Sequence, residues 1–151
     1  MNKTFVIVSV IILIIIAGGV YFLVQPKATL NQNMQNQNQG MKVEILQQGT
    51  GEGAKVGDNI TVDYTGTLAD GTKFDSSVDP SFGHVMPFPY TLGQNMVIQG
   101  WELGLLGMKA GEKRRLTIPP ELAYGPNGRP PTIPANATLI FEITMVSING
   151  K

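Results

Sequence analysis

The residues that could carry out covalent or metal chemistry are few in this sequence. Its 151 residues include one histidine, His84, and no cysteine. Ser76 and Ser77 could supply a nucleophile, but a hydrolytic triad would have to recruit His84 from a loop, and no Gly-x-Ser-x-Gly motif is present. A lone histidine among scattered carboxylates lacks the ligand spacing of a metal site, and no glycine-rich phosphate loop precedes a helix. We therefore expect chemistry without a nucleophile, a metal or a cofactor.

Aromatic residues beside predicted turns are the more unusual feature. They are Tyr64, Phe74, Phe88, Tyr90, Trp101, Tyr124 and Phe141. Aromatic side chains in a small domain usually form its core, and that is the first interpretation of each. Asp75 is harder to explain in this way, because it directly follows Phe74 at the end of a predicted strand. It either caps a turn or lines a mostly apolar cavity in which a few polar groups orient a ligand.

The elements that must position these residues begin near Met41. The stretches KVEILQQ (42–48) and NITVDYTGTLADGTKFDSS (59–77) have the β-branched and aromatic content of strands. Within the second stretch, Asp70-Gly71 stands where a tight hairpin turn requires positive φ. We therefore predict an antiparallel hairpin there.

Two later stretches alternate between apolar and polar residues, as half-buried strands do. In EKRRLTIPP (112–120), Leu116 and Ile118 share one face, and the basic residues are more typical of a solvated face than of a phosphate site. In ATLIFEITMVSI (137–148) the residues that share the apolar face are Leu139, Phe141, Ile143 and Met145. Together with the earlier strands, these two stretches predict an antiparallel sheet of about five strands.

One amphipathic helix is predicted between Met96 and Met108. Its apolar stripe, at helical spacing, consists of Val97, Ile98, Trp101 and Leu105. Gly104 weakens this helix, and Gly107 is a candidate for its C-terminal cap. Because the apolar face of the sheet needs a cover, the helix is expected to pack on it, which predicts an α+β fold.

Residues 1–24 are predicted to be a transmembrane anchor. The segment FVIVSVIILIIIAGGVYFLV (5–24) contains no charge, and about 20 apolar residues suffice to cross a bilayer as a helix. A cleaved secretory signal has a shorter apolar stretch of about 7–15 residues. We therefore expect a retained single-pass anchor, with secretion after signal cleavage as the alternative. Lys3 beside the amino terminus favours a cytoplasmic N-terminus, which would leave the rest of the chain outside.

Residues 25–40, QPKATLNQNMQNQNQG, are dominated by Asn and Gln. Such a polar tract buries too little apolar surface to offset the entropy of ordering it, so a flexible linker is expected. The folded domain would then comprise residues 41–151. This domain has nine Lys and Arg against eleven Asp and Glu, which does not resemble the basic surface of a nucleic-acid-binding protein.

Three long motifs carry a family resemblance. They are VDYTGTLADGTKFDSS, PFPYTLGQNMVIQGWELGLLGMKAGEKRRLTIPPELAYG and IPANATLIFEI. In order and spacing they resemble the FKBP-type peptidyl-prolyl cis-trans isomerases, the macrolide-binding immunophilins. The resemblance covers nearly all of residues 41–151 and none of residues 1–40. It implies a twisted antiparallel half-barrel sheet wrapped around one short helix, here preceded by the predicted transmembrane helix.

The resemblance also implies an apolar pocket for the substrate proline between helix and sheet. In that pocket Trp101 is the floor, Phe88 belongs to the flap, and Ile133 belongs to an overhanging loop. The residues to which the resemblance assigns catalysis are Asp75, Tyr124, Ile98, Trp101 and Phe141. Those to which it assigns substrate binding are Tyr64, Phe74, Phe88, Val97 and Ile133. Among the first group, Asp75, the Tyr124 hydroxyl and the Ile98 backbone N–H are the polar contacts to the substrate backbone.

The sequence departs from the family pattern at two places. Arg129 and Thr132 stand where the best-known small members carry His and Ile. The stretch from Phe74 to Phe88 is a few residues longer than in the smallest members, with His84 at its middle. It is much too short to be the chaperone insert that some bacterial relatives carry there, so a plain isomerase domain is expected.

The implied function is isomerisation of X-Pro bonds by stabilising a twisted amide. Its substrates would be unfolded or newly exported proline-containing polypeptides at the outer face of a bacterial cytoplasmic membrane. Macrolide inhibitors of the family are expected to bind, and nucleic acid is not. The alternative is a membrane-tethered FKBP-like binding or chaperone module with little turnover.

Overall fold

The computed structural model describes residues 40–151. The predicted membrane segment (1–24) and all but the last residue of the predicted linker (25–40) lie outside the described residues. Within residues 40–151 no helix is both long and apolar enough to span a membrane.

The described residues form eight strands, one α-helix and three short 3₁₀ helices. The strands are β1 (Lys42–Gln47), β2 (Thr50–Gly53), β3 (Asn59–Leu68), β4 (Lys73–Ser76), β5 (Phe88–Thr91), β6 (Lys109–Ala110), β7 (Lys113–Ile118) and β8 (Leu139–Ile148). The helix α1 is Gln99–Gly104. The 3₁₀ helices are Pro80–Phe82, Pro120–Leu122 and Gly125–Asn127.

An antiparallel sheet in the order β1-β7-β8-β3-β4 forms the frame, and β5 pairs with β3 beside β4. The five strands of the main path are those predicted from the sequence, so the α+β half-barrel is confirmed. β5 is not among the predicted strands. Its sequence FPYT carries a proline, which is tolerated in a strand at the edge of a sheet. The short pair of β2 and β6 was not predicted either.

The hairpin between β3 and β4 forms at the predicted turn. Gly71 has φ +89°, and its N–H donates to the carbonyl of Leu68 at 3.0 Å. The turn brings Asp75 opposite Gly66 on β3, and β8 places Phe141 opposite Gly66 on the other side. Residues from three strands therefore meet at one point of the sheet.

Alternation along β7 and β8 directs one face of the sheet into the core, as predicted. Leu116 and Ile118 on β7 are fully buried, and so are Leu139 and Ile143 on β8. Phe141 lies on the same face and is 5% exposed. It is the member of this row that also reaches the cavity described below.

The helix is shorter than predicted. Val97 and Ile98 precede it, and Ile98 has the extended conformation of an N-cap residue, with φ −61° and ψ 149°. The C-cap is Leu105 rather than Gly107, whose N–H instead donates to the carbonyl of Ala54 at 2.8 Å. The apolar side chains of Val97 and Ile98 line a cavity instead of extending the helical stripe, which is why helical spacing overestimated the length.

Two glycines allow α1 to approach β7 closely. A Cβ atom on Gly100 would overlap the buried Ile118 side chain, and one on Gly104 would lie 2.5 Å from Leu116 Cδ1. Gly104 does lower helix propensity, as predicted. The close packing of α1 on β7 offsets the lower helix propensity of Gly104.

Arg114 and Glu112 do not lie on a solvated face, which corrects the prediction for the basic stretch. Their side chains are 11% and 3% exposed and form an ion pair. Arg114 also donates to the carbonyls of Gly104 (2.7 Å) and Leu106 (3.1 Å). These carbonyls lie at and just beyond the C-terminal end of α1, so the pair fixes that end against the sheet.

Candidate functional site

A cavity of about 460 Å³ lies between α1 and the concave face of the sheet. All ten residues predicted for the site line it: Tyr64, Phe74, Asp75, Phe88, Val97, Ile98, Trp101, Tyr124, Ile133 and Phe141. Four further residues line it as well, namely Met96, Arg129, Pro130 and Thr132. The structure therefore brings the whole predicted set together. The catalytic and binding roles assigned to its members stay predictions.

Trp101, 4% exposed, is the centre of the aromatic cluster that forms the cavity. Its ring centroid lies 5.2 Å from those of both Tyr64 and Phe141, with interplanar angles of 78° and 85°. Phe74 meets Phe141 at 5.4 Å and 86°. Edge-to-face pairs of this kind are worth about 0.5–1.5 kcal/mol beyond the apolar area they bury. The rings thus hold each other in place while one side of the cluster stays open to a ligand.

Gly66 on β3 makes room for two of these rings. A Cβ atom at this position would lie 2.6 Å from Phe74 Cζ and 2.8 Å from Phe141 Cε1. A residue without a side chain is therefore needed here so that the two phenylalanine rings can pack against each other. Gly66 does not line the cavity itself, and the sequence alone gave no sign of its part in shaping it.

Among residues 40–151, Asp75 is the one carboxylate that lines the cavity. Its Oδ2 accepts from the Tyr64 hydroxyl at 2.8 Å, and its Oδ1 accepts from the Ser76 N–H at 2.9 Å. Burial raises the pKa of the Tyr64 hydroxyl, and the hydrogen bond to Asp75 raises it further. Tyr64 therefore remains a proton donor and orients the carboxylate. Asp75 combines both interpretations left open by the sequence, since it accepts from the local backbone and also faces the cavity.

The neighbouring serines hold the sheet together rather than serving as nucleophiles. Ser76 is completely buried, and Ser77 is 1% exposed. The Ser77 hydroxyl accepts from the Tyr64 N–H at 2.9 Å and donates to Asp63 at 3.0 Å. Within residues 40–151 no group of three or more His, Cys, Asp or Glu side chains is placed to hold a metal ion.

The Ile98 N–H and the Tyr124 hydroxyl of the cavity are available as hydrogen-bond donors. Among the hydrogen bonds of the described residues, none uses the Ile98 N–H or the Tyr124 hydroxyl. Ile98 lies at the N-terminal end of α1, and its carbonyl is already occupied by the N–H of Trp101 at 2.9 Å. A polar ligand backbone could therefore satisfy both donors.

The loop after Pro120–Leu122 overhangs the cavity as predicted. Gly125 and Gly128 have φ +57° and +61°, a backbone conformation that glycine adopts without strain. Arg129 and Ile133 pair through two backbone hydrogen bonds of 2.8 and 3.0 Å. The Arg129 guanidinium carbon lies 6.0 Å from the centroid of the Tyr124 ring, in cation–π range. The loop is thus closed on itself and positions its residues independently of a ligand.

Glu102 was missed by sequence reasoning. It is 9% exposed, and its two carboxylate oxygens accept from the N–H groups of Gly93 (2.6 Å) and Asn95 (2.9 Å). These bonds tie α1 to the segment that leads into Val97 and Ile98. A charged residue directly after the apolar Trp101 was the only available signal, and the partners of Glu102 could not be read from it.

Comparison with known proteins identifies the family. The sequence profile of the FKBP-type peptidyl-prolyl cis-trans isomerases matches residues 50–146. The chain belongs to this family. An FKBP-type isomerase is an enzyme, so the predicted enzyme class is confirmed.

Relatives agree with this assignment over nearly their full length. The FK506-binding protein 1A of Neurospora crassa is 50% identical over 112 residues, which is 74% of this chain and 90% of the relative. The FK506-binding protein of Neisseria meningitidis is 50% identical over 109 residues, 72% of this chain and 96% of the relative. A peptidyl-prolyl cis-trans isomerase of Schizosaccharomyces pombe is 45% identical over 113 residues, which is 74% of this chain and 97% of the relative. Fungal and bacterial relatives are equally similar, so they do not bear on the predicted bacterial origin.

Replacing Gly66 by Ala should reduce prolyl turnover by the folded protein. The added methyl group would push the Phe74 and Phe141 rings apart, and overpacking of this kind costs about 1–3 kcal/mol. We expect the urea midpoint to fall by an amount that corresponds to this cost, and kcat/KM per folded molecule to fall as well, because the displaced rings bound the cavity.

Gly53→Ala is the matched control for this substitution. Its Cβ atom would collide with the backbone of Gly107, 2.8 Å from the carbonyl carbon, and neither residue lines the cavity. It should lower the urea midpoint but leave kcat/KM of the folded fraction unchanged. Equal losses of kcat/KM in both variants would contradict a specific role of Gly66 in shaping the cavity.

Proposed function

We propose that the cavity around Trp101 is the isomerase active site, and that it acts by stabilising a twisted X-Pro amide. Rotation about an amide bond has a barrier of about 18–20 kcal/mol because the C–N bond is partly double. At X-Pro bonds both isomers are populated, and exchange takes tens to hundreds of seconds. Lowering this to milliseconds requires about 5–6 kcal/mol, at 1.36 kcal/mol per tenfold. Binding differences alone can supply that amount.

The single observation that carries the proposal is the combination of aromatic walls with unused donors. The aromatic cluster around Trp101 offers an apolar seat for a proline ring, bounded by Tyr64 and Phe141. An apolar environment disfavours the planar, charge-separated form of the amide more than the twisted form. The seat thus favours the transition state over the ground state.

Three polar groups would hold the substrate backbone in the twisted geometry. The Ile98 N–H and the Tyr124 hydroxyl are donors without a partner among the described residues, and each can donate to a substrate carbonyl. Asp75, oriented by its bond from Tyr64, presents a negative charge to the amide as it rotates. Because these groups are fixed before binding, little free energy is lost in ordering them.

The remaining residues of the set would act as walls for the substrate side chains. Val97 and Phe74 line the cavity. Each directly precedes one of the polar groups, Ile98 and Asp75 respectively. Phe88, 37% exposed, stands at the cavity mouth, and its ring centroid lies 6.3 Å from that of Trp101. Ile133 extends from the overhanging loop. We assign substrate binding to these residues and to Tyr64.

Two substitutions test the assignment of the polar groups. Tyr124→Phe removes one neutral hydrogen bond, worth about 0.5–1.5 kcal/mol, so kcat/KM should fall roughly two- to tenfold. Asp75→Leu removes a charged partner, worth about 1.5–3 kcal/mol, so the loss should be roughly ten- to a hundredfold. The measurement is the cis-trans exchange rate of a Leu-Pro peptide with the full-length chain and each variant.

Outcomes of this experiment separate the alternatives. A kcat/KM that neither substitution changes would contradict the assignment of these residues to the site. Peptide binding without acceleration by the unmutated chain would favour the binding or chaperone module with little turnover.

We also propose that macrolides such as FK506 occupy this cavity, because two of the relatives are named for binding FK506. An equimolar amount of FK506 should then abolish the acceleration.

We further propose that the chain works outside the cytoplasmic membrane, where it assists the folding of exported proteins. The support is the uncharged stretch 5–24, long enough to cross a bilayer, and the Asn/Gln-rich stretch 25–40 behind it. Sixteen residues of flexible chain span roughly 20–25 Å. That length would keep the enzyme close to chains emerging at the membrane surface.

Fractionation of cells that express the chain with an N-terminal tag tests the anchor. We expect the tagged, full-length protein in the membrane fraction, resistant to extraction by carbonate, and accessible to protease added from outside. Replacing three residues of the stretch 5–24 by aspartate should release the protein, since charges at the centre of a helix oppose insertion. Recovery of a soluble, shortened protein without the tag would overturn the anchor in favour of a cleaved signal.

A further inference from the structure

His84 lies in the segment 77–87 between β4 and β5 and contacts the carboxylate of the proposed active site. Its Nε2 atom lies 3.1 Å from Asp75 Oδ1. Its other ring nitrogen, Nδ1, lies 3.0 Å from the carbonyl oxygen of Phe82. Both ring nitrogens of His84 therefore face oxygen atoms that can only accept a hydrogen bond.

This arrangement suits one protonation state of the ring. A neutral imidazole has one N–H and one lone pair, so either tautomer would leave a lone pair opposite an acceptor oxygen. The imidazolium carries an N–H on both nitrogens and can donate to Phe82 and Asp75 at once. The geometry of both contacts is therefore satisfied in full only by the imidazolium, which would also bring a positive charge to the Asp75 carboxylate.

The first part of the same segment is held by contacts that do not titrate near neutrality. Asp79 caps the 3₁₀ helix Pro80–Phe82 by accepting from the Ser81 N–H at 3.1 Å, and it pairs with Lys73 at 2.9 Å. The hydrogen bond from Lys73, followed by those from Ser81, lowers the pKa of Asp79 to about 2. Asp79 thus stays ionised between pH 5 and 8. Deprotonation of His84 can therefore release only the later part of the segment.

The other groups around the pair of Asp75 and His84 keep their charge in this pH range. Tyr64 donates to Asp75 from β3, and its raised pKa keeps it neutral. Arg129 lines the same cavity from the overhanging loop, and a guanidinium is always charged. Tyr124 lies beside it, with its ring centroid 6.0 Å from the guanidinium carbon. Since the chain contains one histidine, His84 is the side chain whose type changes charge between pH 5 and 8.

We propose that protonated His84 is a positioning residue for Asp75, which makes prolyl turnover by this enzyme depend on pH. In the protonated state the imidazolium fixes the carboxylate at the cavity wall and draws the segment 83–87 toward the mouth, next to Phe88. In the neutral state one of the two contacts is lost, and the carboxylate is then positioned by Tyr64 and the Ser76 N–H with less support from His84. This inference rests on the proposed function of the cavity.

Two substitutions of His84 bracket the two states. His84→Arg supplies a permanent cation at this position, and His84→Gln supplies a permanently neutral group. Between pH 5.5 and 8, kcat/KM of the full-length wild-type chain should fall roughly two- to fivefold, the range that a half-exposed ion pair supports. At pH 5.5 the wild type should match His84→Arg, and at pH 8 it should match His84→Gln. Both variants should have flat profiles.

Val85→Ala is the matched control, because Val85 is the next residue, is 59% exposed and does not line the cavity. It should keep the wild-type pH profile. A wild-type profile that is flat, or a His84→Gln profile as steep as the wild type, would overturn the proposal.

A second measurement does not depend on turnover. The Ser76 N–H donates to the same Asp75 oxygen that faces His84, so its amide proton resonance should shift with the protonation of His84 in the wild type and stay constant in His84→Gln. A Ser76 shift without any turnover would mean that the contact exists but the proposed function is wrong. A Ser76 resonance that does not follow His84 would mean that the positioning role is wrong, whatever the turnover.

Discussion

The packing of Trp101 against Tyr64 and Phe141 is the contact on which the rest of the site depends. The indole can reach both rings only because α1 lies close to the sheet. Gly100 and Gly104 permit this approach, since a side chain at either position would collide with β7. The concave face of the twisted sheet is thereby covered at one end and left open at the other. A cavity bounded by aromatic edges is the result.

A helix of six residues is too short to be stable by itself. Here buried charges hold both of its ends. Glu102 accepts from the loop that precedes the helix, and Arg114 donates to carbonyls at and just beyond its C-terminal end. Both charges are hydrogen-bonded, as buried charges must be if they are not to cost several kcal/mol. The helix, and with it the floor of the cavity, has a fixed position before any substrate arrives.

Much of this fold could be predicted from sequence periodicity. β7 alternates from Leu116 to Ile118, and β8 from Leu139 to Met145, because one face of the sheet is buried there and the other is not. Asp70-Gly71 defines a hairpin by its backbone preference. Periodicity misled where burial has another cause. Val97 and Ile98 are apolar because they line the cavity, and counting them as helical made the helix too long.

The predicted site residues could be carried over from a family resemblance because aromatic and loop motifs keep their spacing. Contacts between side chains that are distant in sequence could not be predicted in this way. Arg114 belongs to an alternating basic stretch, and only the three-dimensional structure places its guanidinium at the end of α1. The contact of His84 with Asp75 likewise depends on how the segment 77–87 folds back, which its sequence does not specify.

The chain contains a single tryptophan, so its tryptophan fluorescence, excited selectively over that of tyrosine, reports on the cavity floor alone. The most direct test of the account is a fluorescence titration of the full-length chain with a Leu-Pro peptide, followed in parallel with the same peptide carrying Ala in place of Pro. A proline ring seated on Trp101 should change the emission in a saturable manner, and the Ala peptide should not. Saturable binding of the Leu-Pro peptide, seen by calorimetry, with unchanged Trp101 emission would contradict the account.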